Sequence, residues 1–456
     1  MSSRPMPDAR RCQEWAEEML SYAQDAGAEG AEVLVRDGSE LEVKVRLGEP
    51  ELVKEAGSRG LGLRVRRNHR SAVSYTSDFA PIAMRQFARE TVELCGLAEP
   101  DPLADLPERH EMAREIPDLD LWDEAALSLD VAQALRLAKQ GEQAALRADH
   151  RVTNSEGASM SCVIGASALA SSVGFSGGYR GTSLGLVVEP VCDDANGKKR
   201  NGAYWTASRF VSGLLGAEAV GLEAARRTLA KVGSRKIPTC QVPAVFAPEA
   251  ARTLVGQLAS VVSGGAVWRK SSYLASREGS LVASPLVTVM DDPLRPRGPG
   301  SRPYDGEGLA ARPNMVVSEG ILRTFLCDVY SARKLGRCST GSAGRGLGGG
   351  PHVSTSNFIL LAGQTPPAEL ERLDQGLYVT GLMGFGFNPV TGDWSQGANG
   401  FWIERGARAY PVSEVTISIN FDDLWKSIDG VGTDLDTRSS VQSPTLRVAR
   451  VTVAGS

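Results

Sequence analysis

The stretch VFAPEAARTLVGQLASVVSGG, residues 245–265, has the apolar spacing of one helix face. Pro248 suits the first turn of a helix, and Glu249 places a negative charge where the helix dipole favours it. Five apolar residues then recur at intervals of three and four, which predicts a helix over residues 248–263 with one face in a core. They are Leu254, Val255, Leu258, Val261 and Val262.

The chain around this helix, from about residue 236 onwards, is rich in strand-like segments and glycine-containing turns. Helical patterns are few there. This combination predicts an antiparallel, barrel-like β-rich unit against which the 248–263 helix packs.

The first half of the chain alternates helix and strand patterns. A helix is predicted over residues 8–26, with Asp8 as its cap. The segments AEVLVRD (31–37) and SELEVKVRL (39–47) predict two strands separated by a glycine turn, the second with one face buried. The buried face would consist of Leu41, Val43, Val45 and Leu47. Long antiparallel strands follow over residues 150–212, so the fold class is α+β with a sandwich-like N-terminal unit.

The length of 456 residues favours two domains. We place the boundary in GSRKIPTCQVP (233–243), which gives an N-terminal α+β domain of residues 1–235 and a C-terminal β-rich domain of residues 236–456.

Composition excludes several classes of protein. The formal net charge of −4 disfavours a nucleic-acid-binding or anionic membrane surface. No segment approaches the roughly 18 consecutive apolar residues of a membrane span, and the N-terminus lacks the apolar region of a signal peptide. Seven cysteines without a CxxC spacing indicate neither a disulfide framework nor a zinc cluster. We therefore expect a cytoplasmic protein.

A series of phrases in the chain resembles one known family, the TldD/TldE (PmbA) peptidase-related family. The most specific is the glycine-spaced VTGDWSQGANGFWIERG, residues 390–406. The N-terminal LGLRVRRNHRSAVSYTSDF, residues 61–79, also resembles early strands of that family, so the likeness spans the chain. The other phrases are SSYLASREG (271–279), VMDDP (289–293), YDGEG (304–308), CDVYSARKLGRCSTGSAGR (327–345) and SPTLRVARVTVAG (443–455).

The resemblance implies that the TldD branch carries a zinc-binding HExxxH on the 248–263 helix and a cysteine ligand near the C-terminus. Here the corresponding residues are Gly256, Gln257 and Val261, and the cysteine-bearing segment reads TRSSVQSPTL, residues 437–446. A catalytic zinc needs about three imidazole, thiolate or carboxylate donors. We therefore expect no metal and no cofactor in this chain, as in the metal-free TldE branch.

Such a chain is expected to act as the non-catalytic subunit of a cytoplasmic zinc peptidase. The partner would be a TldD-like zinc subunit in a heterodimer, or a second copy in a homodimer, and the substrates extended peptides. The expected peptide wall is the segment 381–400, where glycines permit close backbone approach and aromatic rings offer apolar contact. The groove candidates are Gly384, Phe385, Gly386, Asn388, Gly392 and Trp394. Alternatively, these glycines serve bulges and hairpin turns.

Two other functions remain open from the residues alone. In the first, the chain is a stand-alone peptide-binding or chaperone-like module. In the second, it is a metal-independent hydrolase that uses Asp305 and Glu307 as an acid/base pair. Against the hydrolase, short acidic residues beside glycine often shape a turn by accepting backbone hydrogen bonds.

Overall fold

The computed structural model describes residues 6–455. Its helices are α1 (Ala9–Asp25), α2 (Pro81–Leu94), α3 (Val131–Arg147), α4 (Ala217–Leu229), α5 (Pro248–Val261), α6 (Gly264–Trp268), α7 (Val329–Lys334), α8 (Pro367–Leu370) and α9 (Phe421–Lys426). Its strands are β1 (Gly30–Arg46), β2 (Glu49–Arg67), β3 (Arg70–Thr76), β4 (Val152–Ser171), β5 (Phe175–Asp193), β6 (Lys199–Asn201), β7 (Tyr204–Ser208), β8 (Cys240–Phe246), β9 (Val289–Asp291), β10 (Asn314–Ser318), β11 (Ile321–Leu322), β12 (Ala343–Gly344), β13 (His352–Val353), β14 (Phe358–Leu360), β15 (Gln375–Met383), β16 (Asp393–Glu404), β17 (Ala407–Asn420), β18 (Ile428–Val431), β19 (Val441–Gln442) and β20 (Leu446–Ala454).

The N-terminal half is one antiparallel sheet in the order β3-β2-β1-β4-β5-β6, with β7 also paired to β5. Helices α1 to α4 cover one face of it. The predicted alternation holds for Leu41, Val43 and Val45, which are buried against α3 and α4 in one apolar cluster. Leu47 breaks the pattern, because it lies in the β1–β2 turn at φ +52° with 55% of its surface exposed.

Gly38 corrects the expectation of two separate strands. The chain runs through it without a turn as the single strand β1. Gly38 lies opposite Gly165 of β4, and a Cβ at position 38 would come within 2.6 Å of the Ile164 carbonyl oxygen. This glycine therefore permits close strand approach inside a sheet rather than a reversal of the chain.

The C-terminal half contains a closed barrel. Strands β17, β16, β15, β8 and β20 pair in that order, and β17 pairs back to β20. This confirms the α+β class with a barrel-like second half. One neighbouring pair, β8 with β15, is parallel, whereas the other pairs of the barrel are antiparallel. A second small sheet runs in the order β11-β10-β9-β14-β19.

Helix α5 lies between the barrel and the small sheet. It contacts β8 and β15 on one side and β14 and β19 on the other. All five predicted core residues of the helix are at most 3% exposed within the largest apolar cluster. The predicted amphipathic helix and its buried face are confirmed.

The two halves meet across the face of the N-terminal sheet that α1 to α4 leave uncovered. Leu34 and Phe175 there pack with Tyr304, Leu309 and Val329 of the second half. The predicted domain boundary falls between α4 and β8 and stays a prediction. Residues 1–5 and 456 of the predicted domains lie outside the described residues. Within residues 6–455, no helix has both the length and the apolarity needed to cross a bilayer.

Candidate functional site

The three positions at which a zinc motif would lie are all on α5. Val261 is fully buried in the core of the second half. Gly256 is partly exposed, and a Cβ built on it would meet no atom within 4 Å. Gln257, also partly exposed, lies beside it. Thus position 256 has room for a larger side chain, whereas position 261 is closed by packing.

Gln257 holds an aromatic residue of the predicted groove. Its Oε1 accepts a hydrogen bond of 2.9 Å from the indole Nε1 of Trp394, which is 3% exposed. An indole has no other donor, so this bond satisfies the polar atom of a nearly buried ring. The structure therefore joins two residues that the sequence singled out for different reasons, Gln257 as a position of the zinc motif and Trp394 as a groove candidate.

The segment TRSSVQSPTL lies against α5, because its residues Val441 and Gln442 form β19. Gln442 is 1% exposed, and its Oε1 has no hydrogen-bond partner among the described residues. Within β19, this amide oxygen is the only buried side-chain acceptor without a hydrogen-bond partner among the described residues.

These residues do not fit a catalytic zinc ion. Glycine and valine side chains have no lone pair, and amide oxygens are poor zinc donors compared with imidazole or thiolate. Among residues 6–455, no three His, Cys, Asp or Glu side chains cluster closely enough to hold a metal ion.

Four of the six groove candidates line one open cavity of about 610 Å³. Phe385 is wholly exposed at its rim, whereas Trp394 is nearly buried at its wall. Phe387, which was not among the six candidates, lies in the cavity and packs on Phe421 with ring centroids 4.5 Å apart. The cavity is lined by Phe385, Gly386, Phe387, Asn388, Asp393, Trp394, Ser395, Ser418 and Ile419.

The other two candidates, Gly384 and Gly392, have turn conformations and do not line the cavity. Their φ angles are +91° and +79°, which an L-residue rarely adopts. The third glycine, Gly386, lies against β16, since a Cβ there would come 1.6 Å from the Ser395 carbonyl oxygen. The turn-and-bulge interpretation thus describes the backbone of these three glycines, while the peptide-binding role of the segment stays a prediction.

Strand β15 keeps an unpaired edge within this segment, because its ladder with β8 covers only residues 377–379 and no other described strand pairs with residues 380–383 on that side. Strand β16 differs, because it is hydrogen-bonded to both β15 and β17. The part of β16 beyond β15 pairs with the loop, through the Phe387–Trp394 bridge. The segment therefore offers three contact surfaces, namely the ring faces, the 384–392 loop and the unpaired edge of residues 380–383.

Asp305 and Glu307 are each 2% exposed at the boundary of the two halves. Asp305 accepts backbone N–H bonds from Glu307, Leu309 and Ala343 at 2.9–3.0 Å. Burial raises the pKa of both carboxyls, and the neighbouring Asp305 raises the pKa of Glu307 further. The three backbone N–H bonds that Asp305 accepts match the interpretation of these acids as turn-shaping residues. Their burial leaves both carboxyls inaccessible to a substrate.

Sequence reasoning missed the ion cluster next to these acids. Glu32 is fully buried, and its Oε2 accepts hydrogen bonds from Arg64 at 3.0 Å and from Arg345 at 2.9 Å. Glu32 lies in the predicted strand of residues 31–37, where a charged side chain is expected to face solvent. Only the packing of the second half, which supplies Arg345, buries that face.

Matches to known proteins agree with this architecture. The PmbA/TldA metallopeptidase domain 1 matches residues 31–95, the central domain matches residues 124–232, and the C-terminal domain matches residues 239–455. The fold and these matches define a metallopeptidase-related protein, and the chain belongs to the PmbA/TldD family.

Its relatives extend over nearly the whole chain. Metalloprotease PmbA of Escherichia coli O157:H7 is 37% identical, with 96% of each chain covered. The Metalloprotease PmbA homolog of Haemophilus influenzae is 34% identical over 96% of this chain and 94% of its own. The solved structure of TldE from Thermococcus kodakarensis superposes with a TM-score of 0.85 at 21% identity, over 97% of this chain and 100% of that one. This last likeness concerns the fold alone.

Proposed function

We propose that this chain is the metal-free, non-catalytic subunit of a cytoplasmic TldD–TldE-type peptidase. In that assembly a TldD-like partner would supply zinc, and this chain would supply part of the wall around an extended peptide. The observation that carries the proposal is the Gln257–Trp394 hydrogen bond on the helix where a zinc motif is expected. The residue that replaces the general base of a zinc motif is engaged in holding a wall residue.

The chemistry of the replaced positions supports this role. A zinc peptidase polarises the scissile carbonyl and activates a water with its metal and a nearby base. Glycine, glutamine and valine at positions 256, 257 and 261 provide neither a ligand nor a base with a useful pKa. What the site retains is a hydrophobic cavity beside the helix, with Phe385, Phe387 and Trp394 around it.

The wall would act on the peptide through contact and exclusion of water. Aromatic faces bury apolar side chains without requiring a particular sequence. Removal of water strengthens polar interactions at a neighbouring catalytic centre. The chain would therefore affect peptide binding in the assembly more than the chemical step itself.

The test is purification of this chain alone, a TldD-like partner alone, and the two together. Zinc content is measured by atomic absorption and cleavage with a fluorogenic extended peptide, each with and without chelator. We expect zinc in the partner only and full cleavage only in the mixture. Peptide binding by the isolated chain without any association with the partner would support the stand-alone binding module instead.

A triple variant sharpens this test. Gly256→His, Gln257→Glu and Val261→His together restore the side chains of the motif but not the thiolate donor in residues 437–446. We expect this variant to bind no stoichiometric zinc, since two donors are fewer than a catalytic site requires. Stoichiometric zinc in wild-type chain, or chelator-sensitive cleavage by wild type alone, would refute the proposed role.

A further inference from the structure

A second cavity, of about 230 Å³, lies on the outside of the barrel where α4 meets β15 and β16. It shares no lining residue with the groove around Trp394. Its size suits a small ligand. Its walls are Ala203, Arg226, Arg227, Ala230, Lys231, Ala247, Glu249, Tyr378, Thr380, Gly381, Asn399, Phe401 and Arg408.

The arginines of this cavity are already paired. Arg226 and Arg227 both donate to Glu223, and Arg227 also donates to Glu249 at 2.9 Å. Arg408 forms a two-fold hydrogen-bonded pair with Glu371 and stacks on the ring of Tyr378 at 3.6 Å. These pairs fix the walls and leave little arginine charge uncompensated.

Lys231 differs from its neighbours. Its Nζ donates to the backbone carbonyl oxygen of Asn201 at 2.7 Å, and no carboxylate of the described residues lies within ion-pair distance. An ammonium group has three donors, so two remain after this bond. Burial, together with the charges of Arg227 and Arg200, lowers the pKa of Lys231, which is the expected response of a partly buried cation without a counter-charge.

A neutral donor and an apolar surface complete the cavity. The Oδ1 of Asn399 accepts a hydrogen bond from the Thr380 hydroxyl at 3.0 Å, and its Nδ2 group has no hydrogen-bond partner in the described part of the chain. The rings of Tyr378 and Phe401 supply flat apolar walls. The ammonium group of Lys231, which has two unused donors, the Nδ2 group of Asn399 and the two rings form a site for a small anion with an apolar body.

We propose that this cavity binds the carboxylate group of a small organic ligand, with Lys231 and Asn399 as its donors. A single negative charge suits the site better than a phosphate dianion, because Glu223, Glu249 and Glu371 surround the cavity and repel additional charge. The shared chemistry is a carboxylate with an apolar body, which either a peptide C-terminus or a free carboxylic acid provides.

Isothermal titration calorimetry on the purified full chain tests the proposal. The probes are acetyl-Ala-Ala with a free carboxyl group, the same peptide as its C-terminal amide, propionate, and inorganic phosphate. We expect the free peptide acid or propionate to bind and the amide not to bind. The two acids distinguish a peptide terminus from a free acid. No binding by either acid at millimolar concentration, or tighter binding of phosphate, would overturn the assignment.

Variants locate the site. Lys231→Met should weaken carboxylate binding by about tenfold or more, because a charge-assisted hydrogen bond is lost, whereas Lys231→Arg should retain it. Lys236→Met removes an exposed charge outside the cavity and serves as the matched control. A second variant, Asn399→Asp, keeps the proposal testable if Lys231→Met fails to fold. It keeps an acceptor for Thr380 but adds a charge that repels a carboxylate, so it should abolish binding. Unchanged affinity in a folded Lys231→Met or Asn399→Asp protein would contradict the proposal.

Discussion

Gln257 and Trp394 show how a single side-chain hydrogen bond can connect a helix to the barrel. A glutamine amide cannot replace a catalytic carboxylate, but its carbonyl oxygen is a good acceptor for an indole N–H. The bond crosses from α5 to β16, so it fixes the helix relative to the barrel at the edge of the groove.

Replacing Gln257 with Leu should destabilise the protein by about 1–3 kcal/mol, because the nearly buried indole N–H loses its partner. Urea unfolding followed by tryptophan fluorescence measures the change. Gln375→Leu alters an exposed glutamine at the start of β15 and is the control, with an expected effect near zero. Equal stabilities of the two variants would show that the indole bond does not hold this wall.

Glu307 makes the stability of the protein depend on pH. Its folded-state pKa lies above the ordinary value because of burial and because Asp305, Glu32 and Asp328 add negative charge nearby. A carboxyl with a raised pKa stabilises the fold fully below its unfolded pKa, about 4.3, and this contribution is lost as pH rises through the folded pKa.

Glu307→Gln should therefore gain stability relative to the wild type as pH rises from about 4.5 to 8. The amide oxygen can still accept the Val329 N–H bond that Glu307 now accepts at 2.8 Å. Urea midpoints of both proteins across this range measure the difference. A difference that is constant with pH would mean that Glu307 titrates normally.

Strand β16 illustrates how the barrel depends on glycine at particular positions. A Cβ at Gly400 would come 1.8 Å from the Tyr378 carbonyl oxygen of β15, whereas a Cβ at Gly397 would meet nothing closer than 3.5 Å. Both positions lie in the same strand and contact β15. Comparing an alanine substitution at each therefore separates the effect of close backbone approach from the effect of strand propensity.

Gly400→Ala should destabilise the chain by about 3 kcal/mol or more, since β15 and β16 must move apart to admit the methyl group. Gly397→Ala should change stability by less than about 1 kcal/mol. Thermal unfolding by circular dichroism compares the two. If Gly400→Ala is as stable as Gly397→Ala, the barrel tolerates a wider strand spacing than the structure shows.

The whole molecule is joined by a buried ion cluster at the boundary of its halves. Glu32 from the N-terminal sheet binds Arg64 of the same sheet and Arg345 of the second half, and all three side chains are at most 8% exposed. A buried pair contributes little net stability, yet removal of one partner is costly because the remaining charge stays buried.

Arg345→Met should destabilise the protein by about 3 kcal/mol, and adding Glu32→Gln should restore part of that loss. A double-mutant cycle from urea unfolding measures the coupling. Arg59→Met removes one member of the more exposed Arg59–Asp37 pair and should cost less than about 1 kcal/mol. Additive effects of the Glu32 and Arg345 changes would show that the two halves are not coupled through this cluster.

The sequence by itself determined the elements whose signals are local. The three-and-four spacing in α5 and the two-residue alternation in β1 specify which face is buried, because side-chain direction follows directly from backbone geometry. It also determined the donor chemistry at Gly256, Gln257 and Val261, since donor chemistry belongs to each residue alone.

Only the tertiary structure decided what depends on distant partners. Gly38 lies in a strand because of its neighbour Gly165, and Glu32 is buried because Arg345 arrives from 313 residues away. The strands of the second half form a barrel because β17 pairs back to β20. Burial, pairing and closure are properties of segments brought together by packing, and no periodicity within one segment encodes them.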